Sequence, residues 1–485
     1  MLKTVVAAAV VVSMVSCSSE ADFDNTNTTE SNKQESVKTP INFGSYLAQS
    51  KSNLSRAEGT TSASSVMTNT ELQAKGFGVV AFYTGKDEYT SGKTNIEPNF
   101  MYNTQVHTAQ WTYSPIAYWP NSGQNQGSTS IGDAQQYVSF FAYAPYKAVN
   151  VQGNNSGKAT DNATIGVTAL SSNAASGDPT VSYTLGATGA DADLLWGTAG
   201  TNGTTTTGTA QAGTTFAGAK GAVNANLSKM KVNGKVQFNF KHALAKFGGT
   251  GTTTDNKTSG LMVVADIDNG TATTGGSLDA KTKITVKSIK IESVNNDGTK
   301  DNSIATSRTL NLATGVWDVT SATTGKIDYE INSPKATATD GATTQTMNTV
   351  IAEPASFVSW NELPTGVTTT AQNVYTETTP LLLIPDGKDH TFRITIDYIV
   401  RTENASLHRG YTEVEQSFYK DLTLKSVSLN AKYNLLIHLG MTSVKFDATV
   451  SDWTNTTTGG ATEGSSTDTD PMVIYMPANV AASSN

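Results

Sequence analysis

Cysteine is nearly absent from this chain, which has one, Cys17, among 485 residues. A single thiol cannot form a disulfide within the chain, so the fold is not a small disulfide-stapled scaffold. Two large β domains fit a chain of this length, and so do three domains of about 150 residues. The chain is therefore long enough to bury a large core without covalent cross-links.

Charged residues are also scarce, at 15% of the chain against about 25% in an average soluble domain. The 33 Lys and Arg residues are outnumbered by 41 Asp and Glu, which gives a net charge of −8, and no basic cluster occurs anywhere. Binding to a phosphate backbone requires clustered cations. We therefore expect no nucleic-acid partner.

Signals for catalysis and metal binding are missing as well. The histidines are isolated from one another, so none forms a pair with metal-ligand spacing; they are His107, His242, His390, His408 and His438. The sequence has no phosphate-binding glycine loop and no nucleophile elbow. We predict no catalytic residue, no metal site and no cofactor. The one enzymatic arrangement left open is a carboxylate pair that folding brings together, as in a surface hydrolase.

The longest apolar run lies near the N-terminus, where Val5 to Val12 follow a cation at Lys3. This run is too short to span a bilayer and is typical of a signal peptide. Cys17 follows small residues at the cleavage position, so the segment resembles a bacterial lipobox, although Met14 stands where that pattern favours leucine. We predict that residues 1–16 are a lipoprotein signal peptide and that Cys17 is lipidated. The alternative is an ordinary signal peptide with an incidental cysteine.

Residues 17–56 are predicted to be a lipid-anchored tether that contains one strand. The stretch 25–40 is almost free of apolar residues and cannot bury enough surface to order itself. Ile41 and Phe43 then alternate with polar neighbours, which is enough for a short strand. Arg56 follows in a second polar stretch, where an exposed arginine is accessible to a trypsin-like protease.

Threonine is present in excess, with 75 residues, and glycine contributes 41. The β-branched threonine side chain favours strands over helices. Apolar and polar residues alternate in short windows such as 77–83 and 392–400, and no window shows a sustained helical period. We predict an all-β protein with two β-sandwich domains, over 57–226 and 227–453, that carry long Thr/Gly-rich loops. Residues 454–485 are predicted to be a flexible linker and a last strand.

Two tryptophans, Trp111 and Trp119, stand close together with tyrosines between them. Such a cluster can stack on sugar rings and form a glycan-binding platform. Aromatic residues on strands more often belong to the core. The platform interpretation supports the alternative function for the chain, a surface glycan-binding lipoprotein.

A series of short motifs runs through nearly the whole chain. They are the lipobox Cys17, the strand Ile41 to Phe43 followed by Ser55-Arg56-Ala57, the strand Phe77 to Tyr83, the run from Tyr137 to Tyr146, Asp193 to Trp196, Phe240 to Lys246, and Val450 to Trp453. No single motif is decisive, but their order and spacing together are specific. In these motifs the chain resembles the fimbrillin-like proteins, the type V pilins of Bacteroides-type bacteria.

The resemblance implies a structural fimbrial subunit and not an enzyme. The precursor would be a palmitoylated lipoprotein with two transthyretin-like β-sandwich domains, held at the outer membrane by the lipid on Cys17. An Arg-specific surface protease would cut after Arg56, remove the first strand and leave Ala57 as the new N-terminus. The mature protein would then lie in extracellular fimbriae on the cell surface and support cell adhesion.

The resemblance also implies polymerisation by donor-strand exchange, in which a strand of one subunit fills a groove in the next. The partners would be copies of this chain and the tip and anchor pilins. The candidate donor is the isolated apolar strand of Met472, Val473, Ile474, Tyr475 and Met476. Either its methionines and Ile474 face the groove, or Val473 and Tyr475 do. The alternative is that this strand returns to its own sheet, and the choice between a stalk and a tip subunit also stays open.

Overall fold

The computed structural model describes residues 40–47, 67, 69–92, 95–120, 136–150, 157–160, 163–186, 193–200, 213–228, 235–248, 253–254, 257–258, 260–265, 278–320, 322–339, 342–375, 381–440, 444–452 and 472–475. Nearly all of the regular structure in these ranges is β-strand. The exceptions are a short helix, α1 (Asn69–Lys75), and a 3-10 turn over Trp360–Glu362. The all-β prediction is confirmed.

The strands follow one another closely along the chain. They are β1 (Asn42–Leu47), β2 (Phe77–Gly85), β3 (Met101–Val106), β4 (Tyr137–Ala144), β5 (Val149–Asn150), β6 (Lys158–Ala159), β7 (Gly166–Leu170), β8 (Thr180–Thr184), β9 (Leu195–Ala199), β10 (Asn224–Leu227), β11 (Lys235–His242), β12 (Ala245–Phe247), β13 (Thr253–Thr254), β14 (Lys257–Thr258), β15 (Leu261–Ala265), β16 (Thr282–Val294), β17 (Ile304–Asn311), β18 (Thr323–Gly325), β19 (Asp328–Asn332), β20 (Thr343–Thr346), β21 (Gln372–Asn373), β22 (Leu381–Leu383), β23 (His390–Glu403), β24 (Tyr411–Leu424), β25 (Ala431–Leu439), β26 (Val444–Asp452) and β27 (Met472–Tyr475).

Four large sheets contain all of these strands except the small β13–β14 ladder. Sheet I has the order β1-β11-β9-β4-β2-β3, with β10 also paired to β4, and sheet II has the order β18-β17-β8-β7-β6-β5. Sheet III has the order β21-β15-β25-β12-β22, with β26 on β25 and β27 on β26. Sheet IV has the order β20-β19-β16-β23-β24.

Sheets I and II pack face to face as a first sandwich. The buried side chains between them include Phe82, Phe141 and Trp196 of sheet I and Val181 and Leu310 of sheet II. Each of these side chains is fully buried. Burial of an aliphatic or aromatic side chain contributes about 1.5–3 kcal/mol, so this layer is a main source of stability for the first sandwich.

The other face of sheet I is covered too. Leu72 of α1 and Trp119 pack there against Phe140 and Phe238, which point away from sheet II. Because both faces are buried, every residue of β4 (Tyr137–Ala144) is buried and the strand shows no polar alternation. This explains the continuous apolar and aromatic run at that point of the sequence.

Sheets III and IV pack as a second sandwich. Its core combines Ile289, Phe392 and Ile394 of sheet IV with Leu435 and Ile437 of sheet III, all of them buried. The alternating apolar positions of β23 (His390–Glu403) give it one buried and one partly exposed face over most of its length. The period of two in the sequence therefore becomes the two faces of a sandwich strand.

The sheets do not follow the boundary at 226/227 that the sequence suggested. β11 (Lys235–His242) pairs with β9 in sheet I, and β17 (Ile304–Asn311) pairs with β8 in sheet II. Both strands belong to the first sandwich, although they lie beyond residue 226. An alternating strand pattern specifies which face is buried but not which sheet the strand joins, so composition alone placed this boundary too early.

The two sandwiches meet at a junction made by backbone and buried charged groups. Asn430 donates a backbone hydrogen bond of 3.0 Å to Leu244. Arg308 of β17 lies 3.8 Å from Asp386, which in turn lies 2.8 Å from His390 at the start of β23. β11 (Lys235–His242) ends just before Leu244, and β25 (Ala431–Leu439) begins just after Asn430. We call the end of each sandwich where these strands are farthest along the chain from the junction its pole.

A buried ion pair lies within the second sandwich. Arg401 and Glu353 are each 1% exposed and form two hydrogen bonds of 2.7 and 2.8 Å, and Thr285 donates a third bond to the same carboxylate at 2.7 Å. Lys335 lies 3.2 Å from Glu353 on its outer side. Burial works to raise the pKa of Glu353, but the hydrogen bonds from Arg401 and Thr285 outweigh it and hold the pKa below its usual value.

Candidate functional site

β1 (Asn42–Leu47) occupies the edge of sheet I. It pairs in parallel with β11 over six residues, from Asn42 opposite Lys235 to Leu47 opposite Phe240. Ile41 and Phe43 are buried while Asn42 between them is exposed, which is the alternation read from the sequence. A strand at an edge leaves one neighbour when it departs, so β1 can be removed without cutting the sheet in two.

Phe43 anchors β1 through an aromatic cage. Its ring lies 5.2 Å from that of Tyr113, 5.9 Å from Phe140, 6.2 Å from Phe238 and 6.4 Å from Phe77, measured between ring centroids. Three of these contacts are edge-to-face and one is stacked. Aromatic pairs in such geometries contribute about 0.5–1.5 kcal/mol beyond their buried area. The cage is therefore the main side-chain attachment of β1.

The segment 113–119 borders β1 on the side away from β11. Ile41 donates a backbone hydrogen bond of 2.9 Å to Ala117, and the Tyr113 hydroxyl donates one of 2.9 Å to the Ile41 carbonyl. Burial raises the pKa of Tyr113, so its hydroxyl remains a proton donor. The sequence signal for this role was weak, because Tyr113 stands in an aromatic cluster that also fits a core or a sugar platform.

The two tryptophans of that cluster do not form a platform. Trp119 is 2% exposed and contacts the Phe140 ring at 5.9 Å, so it has no free face on which a sugar can stack. Trp111 is partly buried against Phe77, at 5.5 Å between ring centroids. The core interpretation is correct for Trp119, because segment 113–119 folds back over sheet I and buries it.

The predicted processing sites lie just outside the described residues. Cys17, Arg56 and Ala57 are not among them, and the first described residue after Arg56 is Met67. Its backbone N–H donates a hydrogen bond of 3.1 Å to Asp193, a fully buried carboxylate that also lies 2.9 Å from His242. Nothing in the sequence pointed to Asp193 and His242 as partners, because they stand 49 positions apart.

The candidate donor strand pairs with its own subunit in this structure. β27 (Met472–Tyr475) lies antiparallel on β26, with Tyr475 opposite Lys445 and Met472 opposite Ala448, and forms an edge of sheet III. Met476 and the linker before β27 lie outside the described residues. This pairing matches the alternative of a strand that returns to its own sheet, and exchange of the strand between subunits stays a prediction.

Other site chemistry is sparse in the part of the chain that the structure describes. No group of three or more His, Cys, Asp or Glu side chains there is arranged to hold a metal ion. Among the same residues, no helix is both long and apolar enough to cross a membrane. The notable feature is thus the edge strand β1 with its aromatic cage.

The chain has relatives among fimbrial proteins. No family model matches it. Over 93 residues it is 33% identical to the fimbrium subunit Fim1C of Phocaeicola vulgatus, a match that spans 19% of this chain and 21% of that relative. This segment is a small part of both proteins.

The fold has a solved counterpart. A fimbrial protein from Bacteroides vulgatus aligns with 86% of this chain and 99% of its own, at 18% identity and a TM-score of 0.52. A candidate cell adhesion protein from Bacteroides uniformis aligns over 86% of this chain and 100% of its own at 15% identity, but its TM-score of 0.37 carries no argument. The Phocaeicola vulgatus relative and the Bacteroides vulgatus structure are both named as fimbrial proteins. The shared fold and the partial sequence identity confirm the resemblance of this chain to the fimbrillin-like proteins.

Proposed function

We propose that this protein is a structural subunit of a surface fimbria, exported as a lipoprotein, processed after Arg56 and polymerised by donor-strand exchange. Support comes from the fimbrial names of the relatives and from the match in fold. Lipidation at Cys17 would hold the precursor at the outer membrane until an Arg-specific protease releases it. The assembled fimbria would serve cell adhesion.

The observation that carries this proposal is the position of β1. It is an edge strand that ends at Leu47, before Arg56, so a cut after Arg56 leaves it held only by noncovalent contacts. Burial of Ile41 and Phe43 contributes about 3–6 kcal/mol gross. Covalent attachment keeps β1 at a high local concentration, and the cut removes that advantage.

Loss of β1 exposes what a new strand needs. The outer edge of β11 has unpaired backbone donors and acceptors, and the cage of Phe77, Tyr113, Phe140 and Phe238 becomes an apolar groove. Such an edge binds an added strand through main-chain hydrogen bonds, with alternate side chains in the groove. We propose β27 of another copy as this strand, which would exchange a four-residue pairing on β26 for the six-residue site on β11.

Replacing Arg56 with alanine is expected to stop processing, because an Arg-specific protease needs the guanidinium at its cleavage site. Subunits from wild-type surface filaments should begin at Ala57 by N-terminal sequencing, whereas Arg56→Ala should accumulate as full-length lipidated monomers. Arg409→Ala is the matched control, since Arg409 is an exposed arginine in another part of the chain and its replacement leaves Arg56 in place. Filaments made of subunits that still begin at Cys17 contradict the proposal.

The glycan-binding alternative is less well supported. It needs exposed aromatic faces at Trp111 and Trp119, and Trp119 is in the core. No second function is proposed on that cluster.

A further inference from the structure

The aromatic cage around Phe43 also bears on which side chain an incoming strand presents. We propose that this cage sets the register of strand exchange, and that its occupant is Tyr475 of a second copy of this chain, inserted parallel to β11. This inference rests on the proposed strand exchange and goes further by assigning the residue, the direction and the register.

The order of buried and exposed side chains around β1 matches one way of aligning the C-terminal strand with the β1 site. We call each such alignment a frame. Ile41, which directly precedes β1, and Phe43 are buried on either side of the exposed Asn42, so the site takes an aliphatic and then an aromatic residue, two positions apart. Val473 and Tyr475 have the same order and spacing. In this frame Ile474 takes the outward position of Asn42.

The other frames lack an aromatic residue at the cage. They would place Ile474 or Met476 among the rings of Phe77, Tyr113, Phe140 and Phe238. Either side chain fills space but cannot form the edge-to-face and stacked ring pairs that Phe43 makes there. The chemistry of the cage thus favours Tyr475 over its neighbours.

The direction of β1 defines where a replacement strand enters. Asn42 is opposite Lys235 and Leu47 is opposite Phe240, so β1 runs from the Lys235 end of β11 toward its Phe240 end. Leu244, a few residues after Phe240, already belongs to the junction between the sandwiches. A parallel replacement therefore enters at the pole of the first sandwich that faces away from the second.

The direction of β27 is compatible with this entry. β25 starts at Ala431, next to the junction residue Asn430, and β26 runs back antiparallel to it. β27 is antiparallel to β26 and so runs away from the junction, with Tyr475 opposite Lys445 near the start of β26. The C-terminal strand thus points out of the far pole of the second sandwich. It can enter the first sandwich of a following copy head to tail without reversing direction.

Engineered disulfides test the register directly. With Tyr475 in the cage, Ile474 lies opposite Lys235, on the face where Asn42 and Lys235 are exposed. Neighbouring strands bring paired Cα atoms within the range of a disulfide. Lys235→Cys combined with Ile474→Cys is expected to give cross-linked subunit ladders from surface filaments on a nonreducing gel. The only natural cysteine, Cys17, is removed with residues 17–56 in the proposed processing.

Two shifted pairs distinguish this register from its neighbours. Lys235→Cys with Val473→Cys reports Ile474 in the cage, and Lys235→Cys with Tyr475→Cys reports Met476 there. Ladders from either shifted pair, with none from the Ile474 pair, overturn the register but leave strand exchange intact. If a chain lacking residues 472–485 still forms filaments, strand exchange by this segment is itself overturned.

Side-chain substitutions provide an independent measurement. Tyr475→Ala is expected to lower the yield of filaments from full-length precursor about tenfold or more, equivalent to losing about 1.4 kcal/mol of binding. Tyr475→Phe should stay within about twofold of the wild type, because it keeps the ring. Ile474→Ala is the matched control on the outward face and should have little effect. A larger loss for Ile474→Ala than for Tyr475→Ala overturns the proposal.

Discussion

Replacing Glu353 with glutamine is expected to lower the free energy of unfolding by about 3–5 kcal/mol, the usual cost of breaking a buried ion pair from one side. Arg401 is 1% exposed and directs two nitrogens at the Glu353 carboxylate. Glutamine has nearly the same shape, but it is neutral and one of its two oxygens becomes an NH₂ donor. The Arg401 charge would then lose its buried anion and keep only Glu413, which lies 3.2 Å away and is 35% exposed, and two donors would face each other.

Urea unfolding of the full-length protein measures this effect. The midpoint should fall for Glu353→Gln while the slope with urea concentration stays the same, because the surface exposed on unfolding does not change. Glu415→Gln is the matched control, since Glu415 is 66% exposed and lies 3.5 Å from Lys287 at the surface. We expect less than about 1 kcal/mol for that exposed pair. Equal losses for the two variants would contradict a special role of the buried pair.

The same ion pair predicts a pH dependence. The pKa of Glu353 is lowered in the folded protein from its model-peptide value of 4.5. The stabilisation from this group is therefore fully present above about pH 4.5 and is lost as the pH falls through the lowered pKa. The difference in unfolding midpoint between the wild type and Glu353→Gln should shrink as the pH is taken below 4.5. A difference that stays constant down to pH 2 would contradict this account.

Replacing Phe43 with alanine in the precursor is expected to weaken the attachment of β1 by about 3–5 kcal/mol, the range for truncating a buried phenylalanine. The side chain is 3% exposed and contacts four aromatic rings, so alanine leaves a cavity that rigid rings cannot refill. Hydrogen exchange should show the result as faster exchange at the amides of β11, which lose their outer partner whenever β1 detaches.

The control for this experiment is Asn42→Ala. Asn42 is exposed on the same strand, and its substitution keeps the backbone pairing with Lys235. We expect little change in β11 exchange for this variant. If Phe43→Ala leaves β11 as protected as it is in the wild type, the backbone ladder alone holds β1 and the cage is not its anchor.

Much of the fold could be predicted from local patterns. The alternating window 392–400 falls within β23, where the period of two in hydrophobicity becomes one buried and one partly exposed face. The window 77–83 falls within β2, although both faces of that strand are buried. The strand over Asn42–Leu47 was also predicted, from Ile41 and Phe43. These predictions succeeded because they depend only on neighbours along the chain.

The partners of these strands could not be predicted in the same way. β1 joins β11 across almost two hundred residues, and β17 joins β8 across more than a hundred. Pairing at such distances depends on the shape of the complete sandwich, and many strands of this chain have compatible patterns. The sequence boundary at 226/227 separated β11 from its sheet for this reason.

Buried polar groups were the least predictable part. Arg401, Glu353, Asp193 and His242 looked like isolated charged or polar residues in the sequence, and folding paired each with a partner at least 48 positions away. Trp119 is the opposite case, since its aromatic cluster in the sequence fits a sugar platform but its side chain is buried in the folded chain. Exposure is a property of the packed molecule and has no reliable local signal.

The order of the residues alone specifies the β class, the scarcity of charge and of thiols, the position of most strands and the motifs that resemble fimbrillin-like proteins. Composition is a count of residues, and hydrophobic periodicity depends only on neighbours along the chain, so both can be read from the sequence without knowing the fold. Three features are visible only in the folded chain: β1 lies at an edge, four rings from distant parts of the chain enclose Phe43, and β27 points away from the junction. These features arise from contacts between residues far apart in the chain, which exist only once the sandwiches have packed.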